Sequence, residues 1–270
     1  METTRGAIQK RTPGCQRFEI GSSTHVGRVR TNNEDSYRLV PTLNLFVISD
    51  GMGGQANGEV ASALAVETIV AHRMDSSTKG WPTNASNLES GISENAHDLV
   101  HAVDQANHVI REAAFHHPEF QGMGATVVAA SIDAMRLSLA HVGDSRAYLL
   151  RAGEFEILTA DHTLVAEQVR SGLLTPEQAQ TNPLRRMLIR ALGASEKVEI
   201  DIYERDLQGS DVLLLCTDGL TGMVPDSEIA DILLHEQDAQ RAADRLVASA
   251  NEHGGEDNVS VIVVYVAGDS

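Results

Sequence analysis

The chain has 270 residues, 42% of them apolar, enough to build a sizeable core in one large domain or two small ones. Its formal net charge of -17 creates a field that repels phosphate backbones and anionic lipid, which argues against nucleic acid as a partner. Two cysteines, Cys15 and Cys216, are too few for a disulfide framework and lack metal-type pairing, so a reducing compartment, the cytoplasm, is expected.

The opening METTRGAIQKRTPGC is polar, has no apolar core of signal-peptide length, and reads as a disordered tail over residues 1–15. Strand-length apolar runs follow at FEIGSS, LNLFVIS, ATVVAASI, RLSLAHV, RAYLLR, EFEILT, VEIDIYE, DVLLLC and NVSVIVVYV, many β-branched and bounded by Gly, Asp or Pro. Helical patterns lie at Gly58 to Arg73, Asn95 to Phe115, Asp161 to Ser171, Asp226 to Leu234 and Gln237 to Asn251. The helices are grouped rather than alternating with strands, which predicts an α+β fold. Between the first two helices, Asp75 to Gly91 is rich in Ser, Asn, Thr and Gly and reads as a long surface loop. The longest apolar run, VIVVYVA, is too short to span a bilayer, so no membrane association is expected.

Two strands end in a carboxylate followed by glycine: LFVISDG at Asp50-Gly51 and VLLLCTDG at Asp218-Gly219. Asp144 sits in a Gly-Asp-Ser turn between apolar strands, Asp257 just ahead of the last strand, and Asp35 before the strand that carries Asp50. Taken singly, each Asp-Gly is a turn signal, because Asp hydrogen-bonds its own backbone and Gly accepts positive φ. Taken together, converging carboxylates with no lysine nearby would repel one another unless cations joined them. An all-oxygen ligand set selects hard cations, Mg²⁺ or Mn²⁺, over zinc. Two such ions balance four carboxylates in formal charge and suit in-line attack on phosphorus.

These blocks, in order, resemble the metal-dependent protein Ser/Thr phosphatases of type 2C in their bacterial form: VGRVRTNNEDS, ISDGMGGQANGEVAS, GMGATVVAA, AHVGDSRAYLLR, LTADHTLVAEQVRSGLLTPEQA, LRRMLIRALG, LLLCTDGLTGMV and GGEDNVSVIVV. The resemblance implies a four-layer αββα sandwich of two central antiparallel sheets, with a dinuclear metal site in the cleft at one edge. It implies one catalytic domain over residues 16–268, with a flap subdomain at about 171–193. Position by position, Asp50 resembles the carboxylate bridging two metals, with the Gly51 carbonyl, Asp35, Asp218 and Asp257 as the remaining ligands. Asp144 resembles the residue that holds a third, weaker metal, and Arg30 the arginine that holds the substrate phosphate. The implied reaction is hydrolysis of phosphoserine and phosphothreonine on proteins by a metal-bridging hydroxide, with no phosphoenzyme, in opposition to a Ser/Thr kinase. Met52 departs from animal members, which carry a histidine proposed as general acid there, so that role is left without a residue. In the flap, Arg185, Arg186 and Arg190 read either as a patch attracting phosphorylated segments or as a solvated helix face.

Other candidates carry less. A cysteine phosphatase needs an arginine six positions after its thiol, where Gly222 and Gly21 stand instead. Asp161 reads as a helix N-cap, with His162 beside it as a structural residue, and His116 with His117 as the polar end of a helix. GMGATVV has no lysine at P-loop spacing. Two other functions stay open on sequence alone: a catalytically inactive phosphoprotein-binding regulatory module on the same fold, and a two-metal enzyme acting on a small phosphate ester. Nothing demands more than a monomer.

Overall fold

The computed structural model of the protein describes residues 4–5, 18–53, 57–79 and 91–268. Apart from Thr4–Arg5, which pairs as strand β1 with Ser23 and Thr24, the expected tail over residues 1–15 lies outside the described residues. Cys15 too lies outside the described residues.

The strands that follow are β2 (Phe18–His25), β3 (Asp35–Val40), β4 (Leu45–Met52), β5 (Gly124–Ala125), β6 (Val127–Asp133), β7 (Arg136–Val142), β8 (Arg146–Arg151), β9 (Glu154–Ile157), β10 (Asp201–Asp206), β11 (Val212–Cys216) and β12 (Val259–Val266). The α-helices are α1 (Asn57–Lys79), α2 (Glu94–His116), α3 (Leu164–Arg170), α4 (Pro176–Gln180), α5 (Asp218–Thr221), α6 (Asp226–His235) and α7 (Ala239–Glu252). One antiparallel sheet runs β1-β2-β12-β11-β8-β9; the other runs β10-β7-β6-β4-β3, with β5 paired to the end of β4.

Strand alternation shows why the sheets stack. In β4, Leu45 and Val47 pack among residues of α1 and α2, whereas Phe46 and Ile48 enter the core between the sheets, and all four are fully buried. A strand covered on both faces reads as a continuous apolar run, which is why LFVI was legible. In β11, Leu213 and Leu215 face the same inter-sheet core, while Val212, Leu214 and Cys216 face α6 and α7. The result is the expected αββα sandwich.

Helix boundaries follow local chemistry. Ser93 caps α2, its side chain accepting from the Ala96 amide, and His117 closes the helix after His116. Thr175 and Gln178 form a reciprocal capping box at α4, with Pro176 in the first turn. Two expectations need correction. Asp75–Lys79, read as loop, continues α1, fastened by the Lys79–Asp75 ion pair and by Ser76 donating to Asp98 on α2 at 2.9 Å; residues 80–90 lie outside the described set. Asp161 is not an N-cap: Thr163 caps α3, and Asp161 instead takes both arms of Arg146 at 2.8 and 2.6 Å.

Candidate metal centre

The candidate site lies where the inter-sheet core reaches one edge of the sandwich. In β3, Tyr37 and Leu39 pack toward that core, and period-2 alternation puts Asp35 on the same face. Antiparallel register sets Asp35 directly opposite Asp50 of β4. Like charges opposed this way destabilise a sheet, so the pairing needs compensation. Part of it comes from the other sheet. Thr217, at the end of β11, and Ser260, on β12, donate their hydroxyls to Asp35 Oδ2 at 3.0 and 2.7 Å. These residues were missed from sequence, and the only signal for them is alternation with Leu215 and Ile262.

Asp50 is held through its backbone: its amide donates to Thr126 Oγ1 at 2.9 Å and its carbonyl accepts from the Thr126 amide at 2.8 Å. Thr126 Oγ1 is in turn 2.7 Å from the buried Ser145 hydroxyl, next to Asp144 in the β7–β8 turn. Asp218 begins α5 as β11 ends, and Asp257 precedes β12. The five carboxylates named from sequence are thus brought to one place. Burial foremost, then the charges of Asp35, Asp218, Asp144 and Asp257, push the Asp50 carboxyl well above its usual range. Burial raises Asp35 to about 7 against the hydroxyl hydrogen bonds that lower it, and raises Asp144 to about 8 with the Asp218 charge adding to it. Asp218 is also raised, by burial first, while Arg186 opposes the shift.

Gly51 follows Asp50, its amide donating to Glu34 O at 3.1 Å and its backbone pairing with Ala125. A Cβ there would stand 1.9 Å from Gly58 O, and one on Gly58 would stand 2.7 Å from the Gly51 carbonyl. The absence of both side chains lets the start of α1 press onto the Asp50-Gly51 turn. Gly58→Ala is therefore expected to cost roughly 1 to 3 kcal/mol, the range for inserting atoms into a packed position. A lowered urea midpoint at constant m-value would check it, and an unchanged midpoint would contradict the packing.

Two arginines meet at Asp257. Arg30 grips it bidentately, Nε to Oδ1 at 2.9 Å and Nη2 to Oδ2 at 3.1 Å. Arg186, from the expected flap, reaches the same Oδ2 at 2.6 Å and Asp218 at 3.8 Å. Arg190 is also engaged, by Asp201 and Glu199, so among the three flap arginines only Arg185 has no acidic partner among the described residues. The flap arginines are not one open patch. Asn258 ties the Arg30 loop to the Asp257 loop, donating to Val26 O and Asn32 O and accepting from the Glu34 amide; sequence reading missed it. Met52 packs against Gly124, where its Cε lies 2.6 Å from the position of an added Cβ.

The donor set fits divalent metal. Asp35 Oδ1 and Asp218 Oδ1 are buried with no hydrogen-bond partner among the described residues, the condition that a hard cation relieves. His141, His162 and Asp201 form a second group of possible ligands. There, however, the Arg190 guanidinium lies 2.8 Å from Asp201 Oδ1 and 3.2 Å from His162 Nε2, so a cation already fills the space. His162 is 1% exposed and braces the Asp144 turn, its Nδ1 accepting from the Gly143 amide at 3.1 Å, which confirms it as structural.

A two-sheet sandwich with a carboxylate cluster at its edge defines a metal-dependent phosphatase architecture. The chain belongs to the protein phosphatase 2C family, which it matches over residues 24–260. It is 37% identical over 244 residues to the serine/threonine phosphatase stp of Listeria welshimeri, covering 89% of this chain and 93% of that one. It is 38% identical to the serine/threonine protein phosphatase PstP of Mycobacterium tuberculosis over 89% of this chain and 43% of the longer relative. Its fold matches a crystal structure of the PstP catalytic domain in complex with two manganese ions, with a TM-score of 0.79 at 34% identity over 93% of this chain and 98% of that one.

Proposed function

We propose that the protein hydrolyses phosphoserine and phosphothreonine monoesters on proteins, using two Mn²⁺ or Mg²⁺ ions held by Asp35, Asp50, the Gly51 carbonyl, Asp218 and Asp257, with Asp144 serving a third, weaker site. The observation that carries this reading is the pair of buried, unpartnered carboxylate oxygens on Asp35 and Asp218 within a cluster of five acids. Bound cations of this class acidify water into a nucleophile at neutral pH and offset charge developing on phosphorus.

The protein's own residues do the rest. Asp50, fastened by two backbone hydrogen bonds to Thr126, is the central ligand; Thr217 and Ser260 orient Asp35 so that its other oxygen stays free. Arg30, half exposed and steadied by Asp257 along its Nε–Nη2 edge, keeps its Nη1–Nη2 edge for phosphoryl oxygens. An inactive phosphoprotein-binding module would gain nothing from this carboxylate repulsion.

Residues 16–268 are read as one catalytic domain, acting as a monomer, with residues 171–193 as its flap. Among the described residues no helix is long and apolar enough to cross a membrane. The two-cysteine composition supports a cytoplasmic setting, where a Ser/Thr kinase would supply the phosphorylated substrates.

The test is hydrolysis of p-nitrophenyl phosphate and of a phosphothreonine peptide with Mn²⁺ and with chelator. Turnover that survives chelation would sink the metal mechanism, and a folded protein inert with Mn²⁺ would favour the binding module. Arg30→Ala is expected to raise KM for phosphate esters about tenfold, the loss of a charge-assisted pair. Mn²⁺ affinity should hold or tighten, because Asp257 loses a competing cation. Unchanged KM with weakened Mn²⁺ titration would remove Arg30 from substrate contact.

A further inference from the structure

Beside Arg30 lies a cavity of about 430 Å³ lined by His25, Gly27, Arg28, Arg30 and Asn251. None of its lining residues is acidic, although the chain carries 38 acidic residues against 21 basic ones. Most arginines around the site are held by carboxylates: Arg30 and Arg186 by Asp257, Arg146 by Asp161, and Arg190 by Asp201 and Glu199. The Arg28 side chain has no hydrogen-bonding or ionic partner among the described residues. In an acidic protein an unpaired guanidinium lining a groove next to a phosphate-binding arginine is a local reversal of the field.

The groove is built rather than incidental. Gly27 has φ +83, and a Cβ there would stand 2.3 Å from Asp257 O, so the turn before Arg28 sits flush on the loop that carries Asp257. The Arg28 amide donates to Gly255 O at 2.7 Å, and the Arg28 stem lies across Gly255. His25 Nδ1 accepts from the Gly27 amide at 2.9 Å, which leaves its Nε2 as the protonated nitrogen and a second donor for the groove. The turn that carries both donors is therefore anchored to the loop of Asp257, while the Arg28 guanidinium is exposed and open to an anion.

We propose that this groove is an anion subsite for the substrate chain: Arg28, with His25, receives the acidic side chain or second phosphoryl group of a residue flanking the phosphoserine or phosphothreonine. The proposal rests on the reading that the adjoining carboxylate cluster is the phosphatase centre. Arg30 ties the two together, since it lines the groove and meets Asp257 of the cluster, so an anion in the groove and a phosphate at the cluster belong to one substrate. The carboxylates of this protein exclude a polyanion from the wider surface, and a single anionic side chain on an extended segment fits the local charge without meeting them. The subsite makes acidic phosphopeptides the preferred class.

The experiment uses the full chain with Mn²⁺ and four phosphopeptides that differ only at the flanking positions, which carry Glu, Gln, Lys or a second phosphoserine. The wild type is expected to favour the Glu peptide over the Gln peptide about fivefold in kcat/KM, the effect of one partly exposed ion pair. That advantage should shrink at 1 M salt, where screening is short-ranged. Arg28→Ala should bring the ratio to about one, and Arg28→Glu should turn the preference toward the Lys peptide, a gain that misfolding cannot produce. Whichever of the Glu and doubly phosphorylated peptides is faster identifies the anion. A wild-type ratio of one, or an acidic preference that persists in Arg28→Glu, overturns the subsite while leaving the phosphatase reading intact. Failure of the wild type to hydrolyse even p-nitrophenyl phosphate overturns both.

Discussion

Asp50→Asn is expected to lower Mn²⁺-dependent kcat/KM by more than about 10²-fold, beyond the loss that follows removal of a mere outer partner of a metal ligand. The same substitution should raise the melting temperature of the protein in chelator. Asp50 faces Asp35, Asp218, Asp144 and Asp257, so without metal it either carries a repelled, desolvated charge or binds a proton that the unfolded chain does not hold, and both cost stability at neutral pH. Asparagine keeps the shape and the backbone bonds to Thr126 while deleting the charge. Relief on the order of 1 to 3 kcal/mol, the cost of one poorly compensated buried group, corresponds to roughly 3 to 8 °C in a domain of this size. Opposite signs for activity and metal-free stability are what distinguish a ligand from a structural carboxylate. A variant that keeps turnover within tenfold of wild type, or that melts below wild type in chelator, would refute the assignment.

The second large effect is the pH dependence of stability without metal. Asp35 and Asp144, raised to about 7 and about 8 from an ordinary 3.8, stay protonated in the folded state where the unfolded chain has released its protons. The unfolded state binds fewer protons between about pH 4 and pH 8, so stability falls as pH rises through that window. His141 acts in the opposite sense. Burial holds it down to about 4, so its contribution is present above the unfolded histidine value near 6.5 and declines as pH drops below it. Comparing pH 6.5 with pH 8.5 reads mainly the carboxylates, because the unfolded histidine is already half discharged at the lower pH. In chelator the melting temperature is expected to drop by roughly 5 to 10 °C across that interval, from a few kcal/mol shared among the acids. Added Mn²⁺ should flatten the drop, because the metal competes with these protons and binds better as they leave. Calorimetry that shows a flat profile in chelator, or a Mn²⁺ gain equal at both pH values, would contradict the cluster.

How far the sequence predicted these features depended on how locally each is encoded. RLSLAHV and RAYLLR match β7 and β8 to the residue, because their apolar content and flanking turns suffice. DSYRLV did not read as a strand at all. It is a half-buried edge strand with Asp, Ser and Arg in it, and its pairing with β4 is what makes it β3. The carboxylates stood out because an Asp after a buried apolar run is costly unless it has a task. The hydroxyls that orient them did not, since Thr217, Ser260 and Thr126 are unremarkable in composition and acquire meaning only when two sheets bring them within 3 Å of Asp35 or Asp50. The flap arginines show the converse. Their sequence run read either as a basic patch or as a solvated helix face, but Arg186 and Arg190 find carboxylates at Asp257, Asp201 and Glu199.

The opposition of Asp35 and Asp50 in the β3–β4 register has a genetic corollary. Side chains on a strand alternate faces, so inserting or deleting one residue within either paired segment between Tyr37 and Ile48 would put one aspartate out of phase with the core-facing residues of its own strand, Tyr37 and Leu39 in β3 or Phe46 and Ile48 in β4. In-frame gain or loss of a single codon in this hairpin would thus disrupt the candidate metal site without altering any of its residues. The apolar packing of an edge hairpin serves as the ruler by which two carboxylates are spaced, and selection for the one cannot be separated from selection for the other.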